Sequence, residues 1–194
     1  MAAAVGASPE LAQPGAPSPL SVGVVVWLAS ELMFFAGLFA AYFTVRSGSR
    51  HWPPPGVELA TARTALATVI LVSSSFTMHV AVQGAKRGDR RSAVRWLVLT
   101  IVLGLVFIGN QAWEYAEAPF SISTHAYGSL FYLMTGFHGL HVIGGLVFMG
   151  VVSGVIAGPG SRAPAGETVE VCGYYWHFVD VVWVAMFSTL YLLR

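Results

Sequence analysis

Two carboxylates and four histidines, His79 among them, stand inside apolar runs of this 194-residue chain, where an ionised group is costly. Glu31 lies in Ser30-Glu31-Leu32-Met33-Phe34-Phe35, and Asp180 in Trp176-His177-Phe178-Val179-Asp180. His138 and His141 share the run Gly136-Phe137-His138-Gly139-Leu140-His141. An acid at membrane depth must face protein or water, or be neutral. Such a group serves either as a proton-linked carboxylate or as a hydrogen-bonded pin between helices. Glu31 fits both readings. For Asp180 the pin is preferred, because His177 sits three residues before it, one helical turn away. His138 and His141 have the same i,i+3 spacing, which suggests one shared helix face and hydrogen bonds to neighbouring helices. With His79, His177 and Glu31 they make an incomplete ligand set, so no metal site is expected.

Hydrophobic residues make up 56% of the chain and charged residues 10%, against about 25% charged in soluble domains. This composition excludes a disordered protein, a coiled coil and an ordinary soluble domain. A net charge of +1 provides no basic field for nucleic acid, and one cysteine, Cys172, excludes a disulfide scaffold. Five segments carry the apolar excess: Val22–Val45, Thr64–Gln83, Val94–Trp113, Gly128–Ala157 and Val171–Leu193. Each reaches the roughly 20 residues that a spanning helix needs. Lipid cannot satisfy exposed backbone groups, so helices are expected. The fold class is therefore all-α, a polytopic five-transmembrane-helix bundle. Residues 1–19 read as a disordered tail and 20–194 as one transmembrane domain.

Lys86, Arg87, Arg90, Arg91 and Arg95 form a compact cluster in and beside the second connection. Basic connections stay cytoplasmic, so the N-terminus is expected inside and the C-terminus outside. Arg162 adds to the inner side; Arg46, Arg50, Arg63 and Arg194 fall outside. Glu31 and Asp180 then each lie nine residues into parallel helices, roughly 14 Å deep at 1.5 Å per residue. At the outer interface stand Trp52, in the stiff Trp52-Pro53-Pro54-Pro55 loop, and Glu114 and Glu117, in Trp113-Glu114-Tyr115-Ala116-Glu117. Both acids are expected to be solvated beside an aromatic belt. Gly136, Gly139, Gly144 and Gly145 are expected to let helix backbones approach, and Gly150-x3-Gly154-x3-Gly158 offers a small-residue ridge to a partner helix.

A transporter, a channel and a subunit of a larger complex all fit these features. The motifs narrow the choice. Trp176-His177-Phe178-Val179-Asp180-Val181-Val182-Trp183 resembles the last-helix signature of cytochrome c oxidase subunit III. Gly136-Phe137-His138-Gly139-Leu140-His141-Val142 is similar to that family's penultimate-helix motif, and Ser30–Phe35 to the motif carrying its buried glutamate. Trp52-Pro53-Pro54-Pro55, Glu114-Tyr115 through Phe120, and Tyr127-Gly128-Ser129 match in the same order. The family's full-length members have seven helices; this chain resembles the last five, a form the resemblance implies for some bacteria, actinobacteria among them.

The resemblance implies a non-redox subunit of a proton-pumping oxidase in the bacterial cell membrane. Such a complex reduces O2 to water with electrons from cytochrome c, and the Gly88-Asp89-Arg90-Arg91 loop leans towards an aa3-type enzyme. The haem and copper would lie in partner subunits I and II, with subunit I the main contact. The subunit would bind structural phospholipid and sustain proton uptake, with Glu31 its proton-linked residue and His138, His141, His177 and Asp180 the polar scaffold. A cytochrome bc complex in a supercomplex is left open. So are a haem-copper quinol oxidase, a nitric oxide reductase accessory subunit and a standalone proton-coupled transporter as alternative settings.

Overall fold

The computed structural model describes residues 18–158 and 165–193. Most of the tail read over 1–19 lies outside the described residues, as do Arg162 and Arg194. Five helices run α1 (Pro19–Ser47), α2 (Thr61–Lys86), α3 (Arg90–Glu117), α4 (Ala126–Ala157) and α5 (Ala165–Phe187). A π-helical turn, Ser188–Leu192, extends α5, and no strand occurs among the described residues. The first four helices are each long and apolar enough to cross a membrane. α5 carries Glu167, Glu170, His177 and Asp180, which dilute its apolar character.

Local chemistry sets the helix ends. Pro19 occupies the first turn of α1, where its missing N–H is no loss, and the Ser18 hydroxyl accepts from the Ser21 N–H at 3.1 Å. The Asp89 carboxylate caps α3 through the Ser92 N–H at 2.9 Å, and His125 Nδ1 caps α4 through the Gly128 N–H at 2.8 Å. Between α2 and α3 the chain turns in three residues. Gly88 adopts φ 77°, a left-handed conformation that side chains disfavour.

α5 packs on α1, α2 and α4, while α3 packs on α2 and α4. α1 is the most peripheral helix: its buried residues are Leu28, Phe35 and Tyr42, seven apart along one seam. Elsewhere its surface is apolar and uncovered, with Met33 75% exposed, as is Phe76 of α2 at 73%. That distribution suits a chain whose surroundings are lipid or other membrane helices.

Two tryptophans of α5, Trp176 and Trp183, lock the centre. They are seven residues apart, hence on one face, and both are fully buried. The Trp176 indole N–H donates to Ser74 Oγ at 2.8 Å and that of Trp183 to Thr68 Oγ1 at 2.9 Å, both on α2. The Trp176 ring lies between Gly104 of α3 and Gly145 of α4. A Cβ on Gly104 would stand 2.9 Å from Trp176 Cη2, and one on Gly145 would stand 2.9 Å from Trp176 Cε3. Two glycines therefore make the slot for one indole.

The small residues divide in a way their spacing does not show. Gly144 and Gly145 meet Tyr175 and Trp176, as expected of close packing. Gly139, Gly150 and Gly154 face open space, with nothing within 4 Å of an added Cβ. The Gly150–Gly154 ridge thus has no partner among the described residues of this chain.

Candidate functional site

Glu31 and His141 meet where α1 crosses α4. His141 Nε2 lies 3.1 Å from Glu31 Oε2, and its Nδ1 lies 2.7 Å from the Phe137 carbonyl oxygen. A carbonyl only accepts, so Nδ1 carries a hydrogen and donates to it. The neutral ring then has no hydrogen on Nε2. The Glu31–His141 contact therefore holds one proton, either as a carboxyl O–H donating to Nε2 or as an imidazolium N–H donating to the carboxylate.

Aromatic rings hold this pair in place. Phe35 meets the His141 ring edge-on at 5.1 Å, and Phe34 meets Phe137 at 4.9 Å. From α5, the Tyr175 hydroxyl donates to the His141 carbonyl at 2.8 Å, and Trp27 stacks on Tyr175 at 5.7 Å. Tyr175 can reach the α4 backbone because residues 144 and 145 are glycines: a Cβ at 145 would stand 3.0 Å from Tyr175 Cε1. Three helices thus converge on the pair. The Glu31 side chain keeps 26% exposure, so the carboxyl borders the chain's outer, lipid-depth face and is not sealed in the core.

Asp180 and His177 do not bond to each other directly. Ser75 of α2 joins them: its hydroxyl donates to Asp180 Oδ2, and its Oγ lies 2.9 Å from His177 Nδ1. A hydroxyl has one hydrogen. Once that is given to Asp180, Oγ accepts from the His177 Nδ1–H. Asp180 Oδ1 is buried with no hydrogen-bond partner among the described residues. This cluster pins α5 to α2.

His138 corrects the sequence reading. It shares neither a ligand nor a partner with His141, and neither ring nitrogen has a hydrogen-bond partner among the described residues. Its buried imidazole stacks on Trp183 at 4.9 Å, with Phe107 edge-on at 6.0 Å. The reason is angular. Positions three apart on a helix differ by about 60°, enough to send one ring to α5 and the next to α1. His79 is exposed on α2. Among the described residues no three His, Cys, Asp or Glu side chains gather as a metal ion would require.

Glu114 is the second correction. It is buried, not solvated, with 3% exposure. Its Oε2 accepts from Tyr191 at 2.7 Å and from Thr64 Oγ1 at 3.1 Å, tying α3 to α5 and α2. The π-helical turn gives Tyr191 its place, and the Tyr42 and Tyr127 hydroxyls donate to the Thr189 and Leu190 carbonyls there. Glu117 is exposed as expected, paired with Arg63 at 2.6 Å and with the Trp113 N–H. Trp52 is half-buried, and its N–H donates to the Tyr42 hydroxyl at 2.8 Å; the loop is folded onto the bundle.

Sequence reasoning missed Ser75, Thr64, Tyr175 and Tyr191. The Ser73-Ser74-Ser75 run in an apolar helix was the available signal for Ser75, since buried hydroxyls need partners.

Comparison with known proteins now bears on this geometry. The family model described as cytochrome c oxidase subunit III matches residues 13–194. The chain belongs to that family. It is 48% identical over 183 residues to a protein named probable cytochrome c oxidase subunit 3 from Mycobacterium bovis, covering 92% of this chain and 90% of the relative. It is 43% identical over 185 residues to cytochrome c oxidase subunit 3 of Corynebacterium diphtheriae, with the same coverage. The cyanobacterial protein of that name from Thermostichus vulcanus is 40% identical over 173 residues, covering 89% and 86%. The relatives are spanned over most of their length. Subunit III motifs and interhelical contacts thus coincide: the glutamate motif meets the penultimate-helix histidine, and the last-helix tryptophans hold the core.

Proposed function

We propose that this chain is the non-redox subunit III of a proton-pumping, aa3-type cytochrome c oxidase in a bacterial cell membrane. In this reading it packs against subunit I, with subunit II in the same complex, and the haem and copper sit in those partners. Bound phospholipid and help with proton uptake belong to the same reading. The names of the relatives support the cytochrome c branch over a quinol oxidase. The N-terminus lies inside, by the basic cluster of the α2–α3 connection.

The observation that carries the reading is the one-proton contact between Glu31 and His141. A group that holds one exchangeable proton at membrane depth, and borders the outer face of the bundle, suits a subunit that supports proton uptake by a neighbour. Glu31→Gln tests it in the assembled complex. The amide keeps a donor towards Nε2 and the same shape, but it cannot give up a proton. The complex is expected to assemble and to turn over at first, then to lose proton coupling or inactivate sooner. Wild-type coupling and turnover lifetime in Glu31→Gln would defeat the proton-linked role and leave family membership untouched.

A further inference from the structure

Asp180 is buried, with 5% exposure, and no ion pair among the described residues includes it. Its Oδ2 meets the Ser75 hydroxyl, and its Oδ1 has no hydrogen-bond partner among the described residues. Neither α1 nor α4 brings a charged or titratable side chain against it. The groups around it are Ser75 of α2 and His177 of its own helix, and His79 of α2 acts on His177 from further along. With Ser75 donating to Asp180 and accepting from His177, the cluster carries a negative charge at membrane depth, and one carboxylate oxygen is left unsolvated. Such a charge is costly there, and one further proton removes it. We propose that His177, Ser75 and Asp180 form a proton relay, which takes up one proton at His177 Nε2 and holds it on Asp180. The proposal rests only on the chain's spanning the membrane. It is separate from the Glu31–His141 contact, which joins α1 to α4.

The geometry provides an open end and a closed one. His177 is half-buried and lines a cavity of about 270 Å³ between α2 and α5, with Val72, Val181 and Val184 among its walls. Its Nδ1 is engaged by Ser75 at 2.9 Å, whereas Nε2 has no hydrogen-bond partner among the described residues. His79 lies four residues along α2 from Ser75, hence on the same face, and is exposed. Asp180 is the closed end, reached through the Ser75 hydroxyl.

The transfer balances along the chain. A proton binds His177 Nε2. The Nδ1 proton passes to Ser75 Oγ as the Ser75 hydroxyl proton passes to Asp180 Oδ2. The product is a neutral imidazole with its hydrogen on Nε2, a hydroxyl donating to Nδ1, and a neutral carboxyl donating to Oγ. One proton has entered, two hydrogen bonds have reversed direction, and the cluster has gone from negative to neutral. Release runs the same steps backwards. A pin between helices requires none of this.

The test is infrared spectroscopy of the complete oxidase complex containing this chain, at neutral pH. A protonated carboxyl has a carbonyl stretch that a carboxylate lacks, and the stretch shifts when O–H becomes O–D. Wild type should show one such band that Asp180→Asn lacks and Glu31→Gln keeps, so the two proton sites are read separately. On transfer to D2O the band should shift promptly in wild type. Ser75→Ala and His177→Phe should slow that shift on the order of 100-fold, because the donor chain is broken. Ser73→Ala, whose hydroxyl returns to the Val69 carbonyl, should exchange as wild type does. No band lost in Asp180→Asn would mean an ionised Asp180 and overturn the proposal. Unchanged exchange in Ser75→Ala and His177→Phe would leave a structural pin and overturn it, as would equal slowing in Ser73→Ala. Should Asp180→Asn fail to assemble, exchange of the carboxyl bands in wild type against Ser75→Ala decides: no slowed component in Ser75→Ala refutes the relay.

Discussion

Gly145→Ala should damage this protein far more than Gly150→Ala, although both replace a glycine of α4. The new Cβ at 145 would lie 2.9 Å from Trp176 Cε3, 3.0 Å from Cζ3 and 3.0 Å from Tyr175 Cε1. Carbon atoms rest at about 3.5–4.0 Å, so each contact is short by at least roughly 0.5 Å. Trp176 cannot slide away: Gly104 closes the far side of its slot, with only 2.9 Å between a Cβ there and Cη2. Its indole N–H is also held by Ser74 at 2.8 Å. Overpacking of this kind costs about 1–3 kcal/mol. At about 2–4 °C per kcal/mol for a chain of this size, the thermal midpoint should fall by about 2–12 °C. At Gly150 nothing lies within 4 Å of the new methyl, and the midpoint should stay level or rise. The assay is a thermal scan of the purified complex, following retention of this chain. Trp176→Phe provides an internal check. In that background the slot is roomier, so adding Gly145→Ala should cost less than it does alone, with a coupling of about 0.5–3 kcal/mol. Equal midpoints for Gly145→Ala and Gly150→Ala, or strict additivity with Trp176→Phe, would refute the two-glycine slot.

Three further outcomes are expected. Ser75→Ala should lower stability by about 1–3 kcal/mol by leaving the buried Asp180 carboxyl without its donor, whereas Ser73→Ala, whose hydroxyl only returns to the Val69 carbonyl, should be near neutral in the same thermal scan. Tyr191→Phe removes the 2.7 Å donor to buried Glu114 and should cost about 1–3 kcal/mol, while Tyr174→Phe, which loses an exposed bond to Glu170, should change the midpoint little. Reporter fusions at Gly88 and after the C-terminus should report opposite sides of the membrane, with Gly88 inside; the same side for both would refute the topology.

The sequence by itself determined the helices. Lipid as solvent demands about 20 apolar residues per span and forbids unpaired backbone, so composition alone implies five long helices. Each apolar segment falls inside an observed helix or, for the fifth, inside the helix and its π-helical extension apart from Leu193, one residue past the end. Caps such as Ser18 and Asp89, and the positive φ of Gly88, are local and follow from residue type. The family was legible too, because Trp176–Trp183, Gly136–Val142 and Ser30–Phe35 occur in order.

Which polar residues meet was decided only by tertiary structure. Glu31 and His141 are 110 positions apart, Ser75 and Asp180 are 105, and Glu114 and Tyr191 are 77. Helical periodicity fixes how residues of one helix are spaced around it. It says nothing of how two helices are rotated and shifted against each other, which depends on bulky rings finding slots. The i,i+3 spacing of His138 and His141 suggested one site, yet packing sent one ring onto Trp183 and the other to Glu31. Glu114 looked like a solvated interface acid, three residues from Glu117 where α3 ends. The π-helical turn that carries Tyr191 over it, and Thr64 beside it, make it a buried tie. That turn has no signature in residue type, and its effect exists only once α2, α3 and α5 are packed together.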